Sequence, residues 1–331
     1  MSVNDADRAI GITTTIPVEI VFAAGYRPVD LNNAFITSAS PARLVEEAEA
    51  EGFPRNICAW VKGIYSAARE LGIRKVVGVC QGDCSNTHAL LEVLQTEGVE
   101  VIQFDYPYGR EADELAAEME KLAGALGTSL EAAEEMRERL GPLRRLAGRI
   151  DELTWKEGKV SGEENHLYLI NCSDMKGDYV AYEREMREFA AEAEKRPRRE
   201  AGIRVGYVGI PPICGGIYSF LEEHGAEVVF NEMQRQFSMP YRTGSLLEQY
   251  LCYTYPYDVF FRVGDIRREV ERREIRGLVH YVQSFCFRQI QDRILREMVG
   301  VPVLTLECDR PGELDERSKT RLEAFVEMLN A

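Results

Sequence analysis

The sequence predicts an α/β protein of two Rossmann-like, doubly wound lobes with parallel sheets and a helical insert between them. Three observations predict it. The first third alternates β-branched runs with amphipathic stretches, the same alternation returns after residue 199, and 331 residues suffice for two lobes that each bury a core. The expected organisation is an N-terminal lobe over 1–110, an insert or lid over 111–198, and a C-terminal lobe over 199–331.

Pro17 to Gly25 reads as a short helix that starts on proline and stops on glycine. Asn56 to Gly72 is a helix with Cys58 in its first turn. Lys75 to Cys80 (K-V-V-G-V-C) has the length and β-branching of a buried strand. Ser85 to Gly98 is the next helix, with Ser85 or Asn86 as its N-cap, and Glu100 to Tyr106 the next strand. Strand, helix and strand at this spacing form a right-handed βαβ unit. From Arg110 to about Lys195, Ala, Glu, Arg and Leu recur with helical period, with breaks expected near Gly141-Pro142, Gly158, Gly162 and Gly177. A polar joint around Pro197 follows. Further strands are expected at Ile203 to Ile210, Glu227 to Phe230, Leu278 to Gln283 and Val301 to Glu307, each separated by a helical stretch.

A net charge of −15 repels phosphate backbones, which argues against nucleic acid as a partner. There is no signal-peptide pattern and no apolar run of the roughly 20 residues that span a bilayer, so a soluble cytoplasmic protein is expected. In a reducing compartment, eight cysteines shift weight from disulfides to metal or redox roles. Ligands of doubly wound sheets gather at the carboxyl ends of strands. Cys80, Cys84, Cys214 and Cys286 all fall at such ends. Cys58 falls at a helix start, where free N–H groups and the dipole favour a thiolate or an anionic cluster. Zinc is disfavoured, because the chain has only one closely spaced pair, Cys80 and Cys84. Cys172 is expected in the core, Cys308 on the buried side of a strand end, and Cys252 beside an aromatic cluster that walls off a site or fills the lobe interface.

Five stretches carry a resemblance. They are I-P-V-E-I-V-F-A-A-G-Y-R-P-V (Ile16 to Val29), F-P-R-N-I-C-A-W-V-K around Cys58, V-V-G-V-C-Q-G-D-C, V-Q-S-F-C at Cys286, and the ending V-G-V-P-V-L-T-L-E-C-D through T-R-L-E-A-F-V-E-M-L. Together they resemble the 2-hydroxyacyl-CoA dehydratase family, which includes benzoyl-CoA reductase subunits and double-cubane cluster proteins. The resemblance implies two Rossmann-like lobes with an iron–sulfur cluster between them. It maps the three ligands of a 4Fe-4S cluster onto Cys58, Cys84 and Cys286, with the fourth iron open. It also implies an ATP-hydrolysing iron–sulfur activator as electron-donating partner. A double-cubane 8Fe-9S cluster would need six thiolates, and Cys80, Cys214 and Cys252 are the supplementary set.

Glu19, in the family-like P-V-E motif, is the expected general acid or base; otherwise it is a carboxylate at a helix start. Lys62 and His88 are expected on solvated helix surfaces. No G-x-G-x-x-G or G-x-x-x-x-G-K-[ST] motif is present, consistent with ATP hydrolysis residing in a separate protein. The expected function is an oxygen-sensitive iron–sulfur reductase, as a homodimer, acting on a small molecule. The alternatives are a dehydratase or reductase subunit acting on an acyl-CoA at one 4Fe-4S cluster, and a non-catalytic electron carrier.

Overall fold

A computed structural model describes residues 8–200 and 202–331 and contains two all-parallel, four-stranded sheets. The first sheet holds β1 (Ala9–Ile12), β2 (Arg27–Asp30), β3 (Lys75–Val79) and β4 (Glu100–Phe104) in the order β2-β1-β3-β4. After β5 (Ile203–Gly209) and the short β6 (Cys214–Gly215) come β7 (Ala226–Asn231), β8 (Gly277–Val282) and β9 (Val303–Glu307). These form the second sheet in the order β7-β5-β8-β9, while β6 pairs separately with β10 (Gly312–Glu313). Counted within each lobe, both sheets therefore run second, first, third, fourth. In this order the connections leave to opposite faces between the first and third strands, which opens a crevice at their carboxyl ends.

The strong strand signals are the apolar runs. Val76, Val77 and Val79 of β3 are fully buried, and β8 is buried along its whole length, as parallel strands covered on both faces require. β1 and β2 give no comparable signal, being four residues each and carrying Gly11 and Pro28. Pro28 is tolerated because β2 is an edge strand.

Helices α1 (Val18–Ala23), α2 (Leu31–Ile36), α3 (Pro41–Ala50), α4 (Ala59–Glu70) and α5 (Ser85–Thr96) connect the first sheet. The middle of the chain is helical as expected: α6 (Ala112–Leu126), α7 (Leu130–Trp155), α8 (Gly162–Ile170) and α9 (Tyr179–Ala193). The expected break at Gly141-Pro142 does not occur. Helix α7 runs through Pro142, and Leu140 and Leu143 are buried to either side of it, so packing outweighs the lost backbone hydrogen bond. Leu140, Leu143 and Ala147 share one apolar core with Ile10, Ile12, Val77 and Phe104 of the first sheet. Asp151 of α7 meanwhile accepts two hydrogen bonds from Arg273, at 2.9 and 2.6 Å. The helical middle is thus fastened to both lobes.

The second lobe adds α10 (Ile217–Glu223), α11 (Glu232–Phe237), α12 (Leu246–Cys252), α13 (Val259–Arg272), α14 (Phe287–Met298) and α15 (Glu316–Asn330). Phe35 and Trp60 of the first lobe pack into one cluster with Ile213, Tyr281 and Leu306 of the second. Among the described residues, no helix is long and apolar enough to cross a membrane.

Candidate functional site

The carboxyl ends of both sheets contribute to one pocket. Thr13 to Thr15 line it after β1, Asp30 at the end of β2, Asp83 and Cys84 after β3, Ile210 and Pro211 after β5, and Cys286 and Phe287 after β8. Cys58 and Trp60 reach it from the start of α4. It encloses about 820 Å³ counted out to its open mouth.

Three of its residues share one local role. Cys58 is the N-cap of α4, Cys84 of α5 and Cys286 of α14. The structure thus moves Cys58 from the expected first turn to the cap and replaces Ser85 or Asn86 by Cys84 as the cap of the next helix. Three helix N-termini, with their free N–H groups and positive dipole ends, converge on the pocket. Cys58 Sγ donates to Gln283 Oε1 at 2.9 Å, and the same oxygen accepts from the Ala59 N–H at 3.1 Å, so the second lobe holds the cap of α4.

Desolvation dominates the electrostatics of all three thiols. Burial pushes the Cys58 thiol up to about 12, outweighing the backbone N–H groups of Val61 and Trp60, and Cys286 and Cys84 add to the rise. Burial also raises Cys84, assisted by the Asp83 charge. Cys286 is raised by burial although Arg288 and Arg262 pull the other way. Binding a cation here must displace the thiol protons.

An iron–sulfur cluster fits these residues. The donors are soft thiols on helix caps, and the indole Nε1 of the lining Trp60 is buried without an acceptor. Arg262 Nη1 and Arg288 Nε, whose positive charges act on Cys286, are likewise unpartnered. An anionic, sulfide-rich group answers both needs. Among the described residues, no group of three or more His, Cys, Asp or Glu is gathered closely enough for a single metal ion. Cluster ligands bind different iron atoms, so their sulfurs stand further apart.

Two carboxyls that line the pocket, Asp30 and Asp83, and a third behind them, Asp174, were not singled out from the sequence. Asp30 caps α2, accepting from the Asn32 N–H at 2.9 Å, and accepts from Ser173 Oγ at 2.6 Å. Asp174 lies against it, accepting from the Asp30 N–H at 2.8 Å. Burial raises both, and the Asp30 charge helps push Asp174 up to about 7. Asp83 is raised by burial too. The available signal was an Asp at a strand end opening a helix, as in P-V-D-L-N-N.

The remaining candidates lie elsewhere. Glu19 is fully buried and ion-paired with Arg144, and it accepts from Gln249 Nε2 and the Tyr250 hydroxyl, both at 2.8 Å. Burial would raise it, but Arg144 and these hydrogen bonds hold it below the usual carboxylate range. It does not line the cysteine pocket. Nor do Cys80, Cys214 and Cys252: Cys80 packs beside α4 and α5, Cys252 ends α12, and Cys214 shares an apolar cluster with Cys308. Tyr255 of the aromatic run lines the pocket, whereas Tyr253 and Tyr257 pack on Tyr106 in the first lobe's core. Cys172 is buried as expected and His88 is exposed. Lys62 departs from expectation. It is buried and paired with Glu49 at 2.7 Å, because its face of α4 packs on α3.

Residues 13–329 match the family described as 2-hydroxyglutaryl-CoA dehydratase, D-component, and the chain belongs to that family. Membership implies activator-dependent dehydratase or reductase-type iron–sulfur chemistry at the family level. No curated protein sequence matches the chain. A solved structure described as the SBP FpvC from Pseudomonas aeruginosa in complex with Mn2+ is 14% identical and covers 97% of this chain and 98% of its own. Its TM-score is 0.25, a likeness too slight to bear on fold or function.

Proposed function

We propose that this member of the 2-hydroxyglutaryl-CoA dehydratase D-component family is an oxygen-sensitive iron–sulfur reductase or dehydratase subunit. In this reading Cys58, Cys84 and Cys286 hold its cluster in the pocket between the lobes. The observation that carries the reading is the convergence of three helix-capping thiols, from both lobes, on one pocket. A bound cluster supplies low-potential one-electron chemistry and, with three protein ligands, leaves one iron facing the remaining space.

The chain's own residues supply the rest. Three helix N-termini with Arg262 and Arg288 favour negative charge at the thiols. Trp60, Tyr255 and Phe287 form apolar walls that limit water. Asp30 lines the pocket, and Asp174 behind it, pushed up to about 7 by burial and the Asp30 charge, holds a proton near neutral pH that Asp30 can relay toward a substrate. Electrons come from a separate ATP-hydrolysing activator, and the substrate is a small molecule or an acyl-CoA. One 4Fe-4S cluster matches the three lining thiols better than an 8Fe-9S double cubane, whose extra ligands would have to come from outside this lining.

Anaerobic purification followed by iron and acid-labile sulfide analysis tests this. About four irons per chain are expected for one cubane. About eight would require the double cubane, and none would overturn the cluster assignment.

A further inference from the structure

Away from the pocket the chain brings two other thiols together. Cys214 is the first residue of β6, and Cys308 directly follows β9. β6 pairs with β10 so that Gly312 stands opposite Cys214, which folds the segment after Cys308 back over it. The Tyr281 hydroxyl pins both backbones, accepting from the Ile213 N–H at 3.2 Å and donating to the Cys308 carbonyl at 2.7 Å. The two side chains pack in the same apolar cluster and sense one another electrostatically, while the Cys308 thiol donates to the Arg310 carbonyl at 3.5 Å. Their access differs. Cys214 is 3% exposed, whereas Cys308 is only half-buried and lines a surface cavity with Arg310, Arg317 and Arg321.

We propose that Cys308 and Cys214 form a redox-active dithiol that reacts with small-molecule disulfides, Cys308 as the attacking thiol and Cys214 as the resolving one. In the first step the Cys308 sulfur attacks the disulfide RS–SR. The S–S bond breaks, a Cys308–S–SR bond forms, and one RSH leaves with the Cys308 proton. In the second, Cys214 attacks the Cys308 sulfur and displaces the other RS group, which leaves as RSH with the Cys214 proton. The protein pair is oxidised by two electrons and the small disulfide is reduced to two thiols.

The pair also bears on the pocket. Cys214 ends the loop whose first residues, Ile210 and Pro211, line the cysteine site. A disulfide at its far end ties that wall to the end of β9.

The test treats the full-length, anaerobically purified protein with oxidised glutathione. Unfolding in chelator, alkylation and peptide mass mapping follow. Of the eight cysteines, two are expected to escape alkylation, in a single Cys214–Cys308 cross-linked peptide. Cys214→Ser should accumulate glutathione at Cys308, because the resolving thiol is gone, and Cys308→Ser should take up none at Cys214. Full alkylation of both thiols in the unmutated protein overturns the proposal without recourse to variants. A Cys214→Ser protein that melts normally but carries no glutathione at Cys308 overturns the order of attack.

Discussion

Between α7, α11 and α13 the chain buries Arg235, Arg262 and Arg273 together with Asp151, Glu232, Asp265 and Glu269, and every arginine meets a carboxylate. Around the pocket stand the half-buried Cys58, Cys84, Cys286 and Asp83 with the buried Asp30 and Asp174, and all are raised from their ordinary pKa because desolvation outweighs the pull of Arg262 and Arg288. In the first region burial is compensated: Asp151, which burial would raise, is held low by Arg273. In the second it is not. A buried charge network that closes on itself holds elements in register, whereas a set of desolvated groups whose counter-charges fall short calls for something from outside the chain.

The largest effect that sharpens this contrast is expected at the thiols. Cys58→Ser, Cys84→Ser and Cys286→Ser, each purified anaerobically, should lose the iron and the visible chromophore. Cys252→Ser and Cys80→Ser, which alter thiols outside the pocket, should keep both. Iron per chain is the readout, and loss on Cys252→Ser with retention on Cys84→Ser would reverse the assignment.

Next comes the compensated region. Arg273→Met strips the counter-charge from Asp151 and Glu269 at once, although Arg273 also donates to the Val229 carbonyl. Removing one partner of a buried pair costs about 3–5 kcal/mol. Urea unfolding should show a loss of this size, with iron content per folded chain unchanged. An iron loss as severe as the stability loss would break the separation between the two regions.

How much of this was legible in the sequence follows from what each kind of signal measures. Apolar runs gave the buried strands β3 and β8, and helical period gave the middle helices, because both patterns report burial directly. β1 and β2 are too short and too interrupted by Gly11 and Pro28 for that signal, and Pro142 looked like a break because local propensity does not register that Leu140 and Leu143 are held from outside the helix. At the site, strand-end position placed Cys84 and Cys286 at a sheet edge, and helix-start position marked Cys58. The same rule also marked Cys214 and Cys80, since it locates an edge without saying which loops on that edge face one another. Glu19 and Lys62 show the reverse failure. Nothing local to P-V-E or W-V-K announces Arg144, 125 residues away, or Glu49, 13 residues away.

A smaller effect concerns the uncompensated carboxyls. An unfolded Asp titrates near 3.8, while folded Asp174 titrates near 7, so between these values the folded state binds more protons. Stability therefore falls as pH rises from about 4 to about 7 and stays reduced above that. Asp30→Asn keeps an oxygen for the Asn32 N–H and removes the charge that helps raise Asp174. The fall should flatten, each pKa unit recovered being worth about 1.4 kcal/mol. Urea midpoints from pH 4 to pH 8 measure it, and an unchanged profile would detach Asp30 from Asp174.

The smallest effect is expected where charges are paired but not buried. Arg43 meets Glu47 and Glu70, at 2.5 Å for the latter, with all three side chains about half exposed, at 48%, 47% and 46%. Solvent screens such a pair, and ordering three long side chains offsets most of its attraction. Arg43→Ala should barely shift the urea midpoint at low salt and leave it within error in 0.5 M salt, where a Debye length of only a few Å removes what remains. Geometry alone does not distinguish this triad from the Arg273 network. A loss on Arg43→Ala comparable to that on Arg273→Met would mean that burial is not what separates them.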